Sequence, residues 1–321
     1  MTRFSHQERG LSLVELMIAA ALALSVLLVL LATTSKQSQM SRETMQLAML
    51  QQQGQLTLNL LQTELQQLGF WAGFTLADIR QLSAPFGVVS GECRHLADDS
   101  GSFPQAGLLL VPLYAEYGRG ESISCLGRAA SNSSVLQFKR LLAQPLSFEQ
   151  LKNNRYYLQV LASELKLVDS DSATTDPAAE FWPYLHQLFY VQWQDDIPVL
   201  MRKRLIRSAA GMPRIHTDSV IDGVEVLYFE FGIDSTLDGR ANYFVPLSHM
   251  QAEHWYQQEQ RIVAISYYVV VRSLEADVRY LNEHWYPMGQ SGFQAPGDHY
   301  RRLQLQSTQY LHNVALQYQG G

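Results

Sequence analysis

The chain has 321 residues, 47 % of them hydrophobic and 17 % charged, with a formal net charge of −6. This is the composition of a folded globular protein of one or two domains. The acidic balance disfavours generic binding to nucleic-acid phosphate as the main role.

A short polar segment, Met1 to Gly10, meets an apolar run from Leu11 to Ala32 that contains one charge, Glu15. An apolar helix of about twenty residues crosses the roughly 30 Å hydrocarbon core of a bilayer, so this run is long enough. Arg3 and Arg9 precede it with only Glu8 to oppose them, which predicts a cytoplasmic start and the bulk of the chain outside. A secretory signal has an apolar stretch of about 7–15 residues, shorter than this one. A plain anchor accommodates Glu15 poorly, because a lone charge in the membrane costs a few kcal/mol. If the chain were cut after Gly10, the new ammonium of Leu11 would lie one helical turn from Glu15. It could then pair with the Glu15 of a neighbouring copy.

Gly10-Leu11-Ser12-Leu13-Val14-Glu15-Leu16-Met17 resembles the class III signal of type IV prepilins and pseudopilins. The resemblance implies cleavage between Gly10 and Leu11 by a prepilin peptidase and methylation of the new N-terminus at Leu11. Leu11 stands where phenylalanine is commoner, a hydrophobic exchange. Loss of the leader takes the net charge to about −7.

Beyond the apolar run, Met40, Leu47, Leu50, Leu58, Leu61, Leu65 and Leu68 recur at helical spacing, with Gly54 in the missing position. This predicts an amphipathic continuation over 33–68, stopped by Gly69, with a bend at Gly54. Gly69-Phe70-Trp71-Ala72-Gly73-Phe74 reads as a turn packing rings over the helix end. Residues 75–105 read as a loop carrying Cys93. In a periplasmic compartment Cys93 and Cys125 form a disulfide more often than not, and closing that loop stabilises by about 3–4 kcal/mol.

Strands are predicted over Leu108–Leu113, Val135–Arg140, Tyr156–Leu161, Leu188–Trp193, Val199–Ile206, Val224–Phe231, Ile262–Arg272 and Leu303–Leu311. No regular alternation of strand and helix appears, so the sheet is antiparallel. Asp169–Pro183 reads as a polar surface insertion. The expected fold is α+β: a long N-terminal helix packed on an antiparallel β-sheet domain. Its divisions are a leader (1–10), a transmembrane helix (11–32), an amphipathic continuation (33–68) and a periplasmic domain (69–321).

Leu200-Met201-Arg202, Val220-Ile221-Asp222-Gly223-Val224-Glu225 and Phe231-Gly232-Ile233-Asp234 resemble the PilW family of minor pilins. So do Arg261-Ile262-Val263-Ala264-Ile265, Val270-Val271-Arg272-Ser273 and Tyr300-Arg301-Arg302-Leu303. Where that family commonly ends in an arginine-asparagine pair, His312-Asn313 stands here. The pseudopilin J component of type II secretion is similar in layout. The resemblance implies a non-enzymatic minor pilin, single-pass in the inner membrane and then on the pilus, serving motility, adhesion or DNA uptake. Its implied partners are the peptidase, other minor and major pilins, the inner-membrane assembly platform and the lipid bilayer. No cofactor or small-molecule substrate is implied. A type II pseudopilin and a membrane-tethered periplasmic adhesin or enzyme are the alternatives.

Asp234-Ser235-Thr236-Leu237-Asp238-Gly239 matches the opening of a calcium loop, but Val245 stands where the bidentate acid belongs. A tight turn is the preferred reading of Asp234 and Asp238. His249, Glu253 and His254 lack the spacing of a zinc site and read as a polar surface segment. Arg202-Lys203-Arg204 with Arg207 reads as a solvated sheet edge. No nucleophile elbow, P-loop or dinucleotide glycine pattern is present.

Overall fold

The computed structural model describes residues 12–95, 98–119, 122–162 and 164–316. The cleavage pair Gly10 and Leu11 lies outside the described residues. Helix accounts for 24 % and strand for 37 %, an α+β protein with antiparallel sheets. The chain divides into two compact units, Met1–Met49 and Leu50–Gly321. The division falls inside the first helix, α1 (Leu13–Leu65).

In the first unit every described residue from Leu13 to Met49 belongs to α1, and none is buried. An 18-residue window here has a mean hydropathy of 2.7, so the helix is long and apolar enough to cross a membrane. The three hydroxyls between Leu16 and Thr34 bond back to the helix itself. Ser25 Oγ donates to Leu22 O, Thr33 Oγ1 to Val29 O and Leu30 O, and Thr34 Oγ1 to Leu30 O and Leu31 O. That back-bonding is what lets hydroxyls sit in an apolar helix without stranding a polar group.

In the second unit, α1 continues from Leu50 and buries Leu50, Gly54, Thr57, Leu58, Leu61 and Leu65. The expected bend at Gly54 does not interrupt the helix. Instead, a Cβ on Gly54 would lie 2.2 Å from Leu305 Cδ1, so the glycine gives room for close approach of a strand. The helix ends three residues before Leu68, and Gly69 follows with φ +76°. A short helix, α2 (Leu76–Arg80), lies in the stretch read as a loop. Its start was legible in principle: Thr75 and Asp78 form a reciprocal cap.

Seven strands make the first sheet: β1 (Leu113–Tyr117), β2 (Ser134–Leu141), β3 (Tyr156–Leu161), β4 (Glu164–Val168), β5 (Glu180–Gln194), β6 (Ile197–Arg207) and β7 (Pro213–Asp222). The long β5 pairs with β2 along one edge, and with β3 and then β6 along successive stretches of the other. It takes up Glu180–Pro183, residues read from sequence as part of a surface insertion. The predicted Leu108–Leu113 strand lies mostly before β1. β7 was missed because its charged and polar residues mask the alternation, whereas β4 alternates but is only five residues long.

The chain then crosses to a second sheet through one residue. β8 (Val224–Asp234) begins directly after Gly223, whose N–H donates to Pro198 O and whose carbonyl accepts from Arg272 N, both at 2.7 Å. Gly223 has φ +84°, a conformation that glycine adopts without steric cost. The second sheet adds β9 (Tyr243–Pro246), α3 (Ala252–Tyr256) leading into β10 (Arg261–Arg272), the separate hairpin β11 (Trp285–Met288) and β12 (Ser291–Gln294), and β13 (Arg302–Tyr310). Its order is β13-β10-β8-β9, and α4 (His312–Leu316) follows it. The main core joins both sheets to the buried stretch of α1, with Leu61, Leu65, Phe138, Phe189, Val226 and Tyr267 fully enclosed.

Candidate assembly site

The first described residues close the start of α1. Ser12 N donates to Glu15 Oε2 at 2.9 Å, and Glu15 N donates to Ser12 Oγ at 3.2 Å. This reciprocal cap satisfies two backbone donors that a helix start leaves open, and puts a negative charge at the positive end of the helix dipole. Ser12 was quoted in the sequence motif but given no task; the S-x-x-E spacing was the available signal.

The segment Asp234–Gly239 forms a turn between β8 and β9. The buried Asp234 carboxylate accepts N–H bonds from Thr236, Asp238 and Gly239 at 3.1, 3.3 and 2.7 Å. Its oxygens thus hold backbone, as in an Asx turn. His254 likewise serves locally: its Nδ1 accepts from Gln251 N at 2.9 Å, capping α3.

The basic cluster is not at an edge, which corrects the sequence reading. β6 pairs with β5 on one side and β7 on the other. Arg202 and Arg204 both reach Asp218 of β7, at 3.2 and 2.8 Å, and Arg207 Nε reaches Asp169 at 2.9 Å. These cations already hold acids of the same chain, so the cluster makes a poor phosphate surface. Burial raises the Asp218 and Asp169 carboxyls, but the arginines and local hydrogen bonds outweigh it and leave both below the usual range.

Cys93 and Cys125 are joined, with an S–S distance of 2.01 Å. The bridge ties the loop before β1 to the loop between β1 and β2, beside a buried polar chain. Gln137 Nε2 donates to Cys93 O at 2.8 Å and lies 2.7 Å from His186 Nε2; His186 Nδ1 lies 2.8 Å from Ser102 Oγ, which donates to Glu92 Oε1 at 2.7 Å. With both amide hydrogens used, the bonds require His186 Nε2 to accept and Nδ1–H to donate. Burial, with the nearby Lys139 cation, holds His186 well below its ordinary pKa and therefore neutral. Ser102 thus gives its proton to a carboxylate and takes one from the imidazole, the reverse of an activated nucleophile. Next to it, Asp99 pairs with His95 at 2.8 Å and Lys139 at 3.4 Å, all buried. Burial opposes ionisation of Asp99, but Lys139 and His95 prevail and lower its pKa.

Three of the quoted motifs converge where the sheets meet. Arg302 sits on β13, Glu225 at the start of β8, and Arg272 at the end of β10 between them. Arg302 grips Glu225 through Nε and Nη2 at 2.5 and 3.0 Å, and Asp298 through Nη1 and Nη2, both at 2.6 Å. Glu225 reaches the guanidinium because the β8–β10 register slips between Val270 and Val271, leaving position 225 out of the ladder. Burial would lower the Arg302 pKa, yet the hydrogen bonds it donates to Asp298 and Glu225 raise it. Arg272 lies over the Tyr300 ring at 3.8 Å and over Trp193 at 4.9 Å. In a second convergence, a Cβ on Gly232 would stand 2.8 Å from Ala264 Cβ. The closing His312-Asn313 pair also has a place. Asn313 Nδ2 reaches Gln66 O and Leu68 O at 3.3 Å each, covering carbonyls that the end of α1 leaves open.

A family model described as Type IV Pilus-assembly protein W matches residues 188–313. Over those residues the chain is similar to the PilW family. The PilW region begins inside β5 and ends at Asn313, so it holds the whole second sheet, Gly223, Glu225, Arg302 and the asparagine cap. No curated protein and no solved structure matches the chain. The match relates the chain to type IV pilus assembly, and Gly223, Glu225 and Arg302 within it tie the strands of the framework together. Sequence reading quoted Arg302 and Glu225 but did not pair them, and missed Asp298 altogether. The only local signal was the four-residue step from Asp298 to Arg302.

Proposed function

We propose that this chain is a minor type IV pilin, cut after Gly10, methylated at Leu11 and built into the pilus. The observation carrying the reading is Glu15: a capping carboxylate at the start of an apolar helix, in a chain whose later half is a PilW region. Glu15 Oε2 serves Ser12 N–H, and among the described residues no cation pairs with the carboxylate. The ammonium of Leu11 on an adjacent subunit is the partner that cleavage would create, and pairing with it would set register between helices. The apolar helix serves first as inner-membrane anchor, with the second unit in the periplasm, and then as packing element in the fibre. The large β domain suits a subunit that primes assembly or lies near the tip. Retained Glu15 argues against the terminal position, where no copy above supplies a cation. Its partners are the prepilin peptidase, the assembly platform and other pilins.

Mass spectrometry of the full chain from membrane and fibre fractions tests this. The expected N-terminus is N-methylated Leu11 in wild type, with unprocessed precursor in Gly10→Ala. Met1 still attached to fibre-associated protein would overturn the reading.

A further inference from the structure

We propose that the outer edge of β13 is a docking strand, which takes up an extended, uncharged segment of another pilus subunit as a further strand of the second sheet. The inference rests on the type IV pilus reading and goes beyond it by naming the surface.

An edge strand exposes a row of backbone N–H and C=O groups, and proteins guard such edges with charge, proline, bulges or shortness. Four edges of this molecule are guarded. β1 has five residues and carries Glu116; β4 has five and carries Glu164 and Lys166. β7 begins at Pro213 and bears Arg214, His216 and Asp218, while β9 has four residues and ends at Pro246.

β13 differs in each respect. It runs nine residues, pairs with β10 without a register shift, and from Leu303 to Tyr310 contains no charge, proline or glycine. Among the described residues nothing pairs with its outer side. Its one charged residue, Arg302, is enclosed by Glu225 and Asp298. An added strand would find a continuous ladder, with half-buried Leu303 and Leu305 on the face toward α1 and exposed Gln306, Thr308 and Tyr310 on the other. An edge of glutamine, serine and threonine offers no counter-charge, so it suits an uncharged segment.

A second copy is the weaker occupant. β13 and the buried stretch of α1 run in the same direction, since Gly54 meets Leu305 and Gly69 meets Val314. Antiparallel self-pairing would therefore set the Leu50–Leu65 stretches of the two copies in opposite directions. Subunits that enter one fibre in a common direction do not present that arrangement.

The test places a photo-crosslinking amino acid in the full-length chain in piliated cells, at Gln306 or Tyr310, with Thr217 on β7 as control. The expected result is an adduct at both β13 positions with another prepilin-type subunit, identified by mass spectrometry, and none at Thr217. The paired variants Gln306→Lys and Thr308→Lys should lose that adduct several-fold while the thermal midpoint stays unchanged. An adduct only with this chain itself, with a non-pilin, or with nothing overturns the proposal, as does full adduct yield in the lysine variants. The N-terminal mass of the same protein is read separately, so failure of the minor-pilin reading is distinguishable from failure of the docking edge.

Discussion

Leu305 on β13 occupies the space that a side chain at position 54 would need, with its Cδ1 2.2 Å from where a Cβ on Gly54 would lie. Glycine in a helix interior costs about 1 kcal/mol relative to alanine, so the residue is held there by packing. Gly54→Ala meets only the flexible end of a leucine, and its clash opposes the propensity gain. Gly54→Leu cannot be relieved that way and should destabilise by about 1–3 kcal/mol. Adding Leu305→Ala should recover part of that loss. Urea denaturation of the four-member cycle measures the coupling, and additive effects would show that the two positions do not share space.

Arg302 and Glu225 form a buried ion pair whose loss should be asymmetric. Removing the cation with Arg302→Met leaves Glu225 enclosed without its counter-charge, at a cost of about 3–5 kcal/mol. Arg302→Lys should not rescue it, because an ammonium cannot hold two carboxylates through a planar fork. Replacing both charges with Met and Gln should be milder than Arg302→Met alone. Equal losses in the single and double variants, read as denaturation midpoints, would count against the pairing.

His186 links stability to pH. Its folded pKa is depressed by burial, so below about 6.5 the unfolded chain takes up a proton that the folded chain refuses. The contribution is therefore complete above about pH 6.5 and declines as pH falls, by at most about 1.4 kcal/mol per pH unit. Measured between pH 7 and 5, above the main carboxylate range, the slope should shrink in His186→Gln. An unchanged slope would assign it to other histidines.

Asn313 and Gly69 close the end of α1 together. Asn313→Ala should cost about 1 kcal/mol by opening the Gln66 and Leu68 carbonyls. Gly69→Ala should cost more, since φ is +76° and its Cβ would stand 2.4 Å from Val314 Cγ2. Hydrogen exchange of amides from Leu61 to Leu68 should rise in both. Unchanged protection would separate the C-terminal segment from the helix end.

Properties carried by neighbouring residues were legible in the chain itself. The apolar run, the helical spacing of Leu50, Leu58, Leu61 and Leu65, and the β-branched and aromatic runs of β2, β3, β8 and β10 follow from local periodicity and propensity. Decisions between distant residues were not. Whether Arg202 and Arg204 lie at an edge depends on β7, whose polar residues hide it; whether Gly54 bends or seats depends on a leucine some 250 residues away. Asp298, Glu225 and Arg302 become one site only when β8, β10 and β13 lie side by side. Periodicity reports which way a side chain faces, whereas its partner is chosen by strand order and register, and those are settled only when the whole core closes.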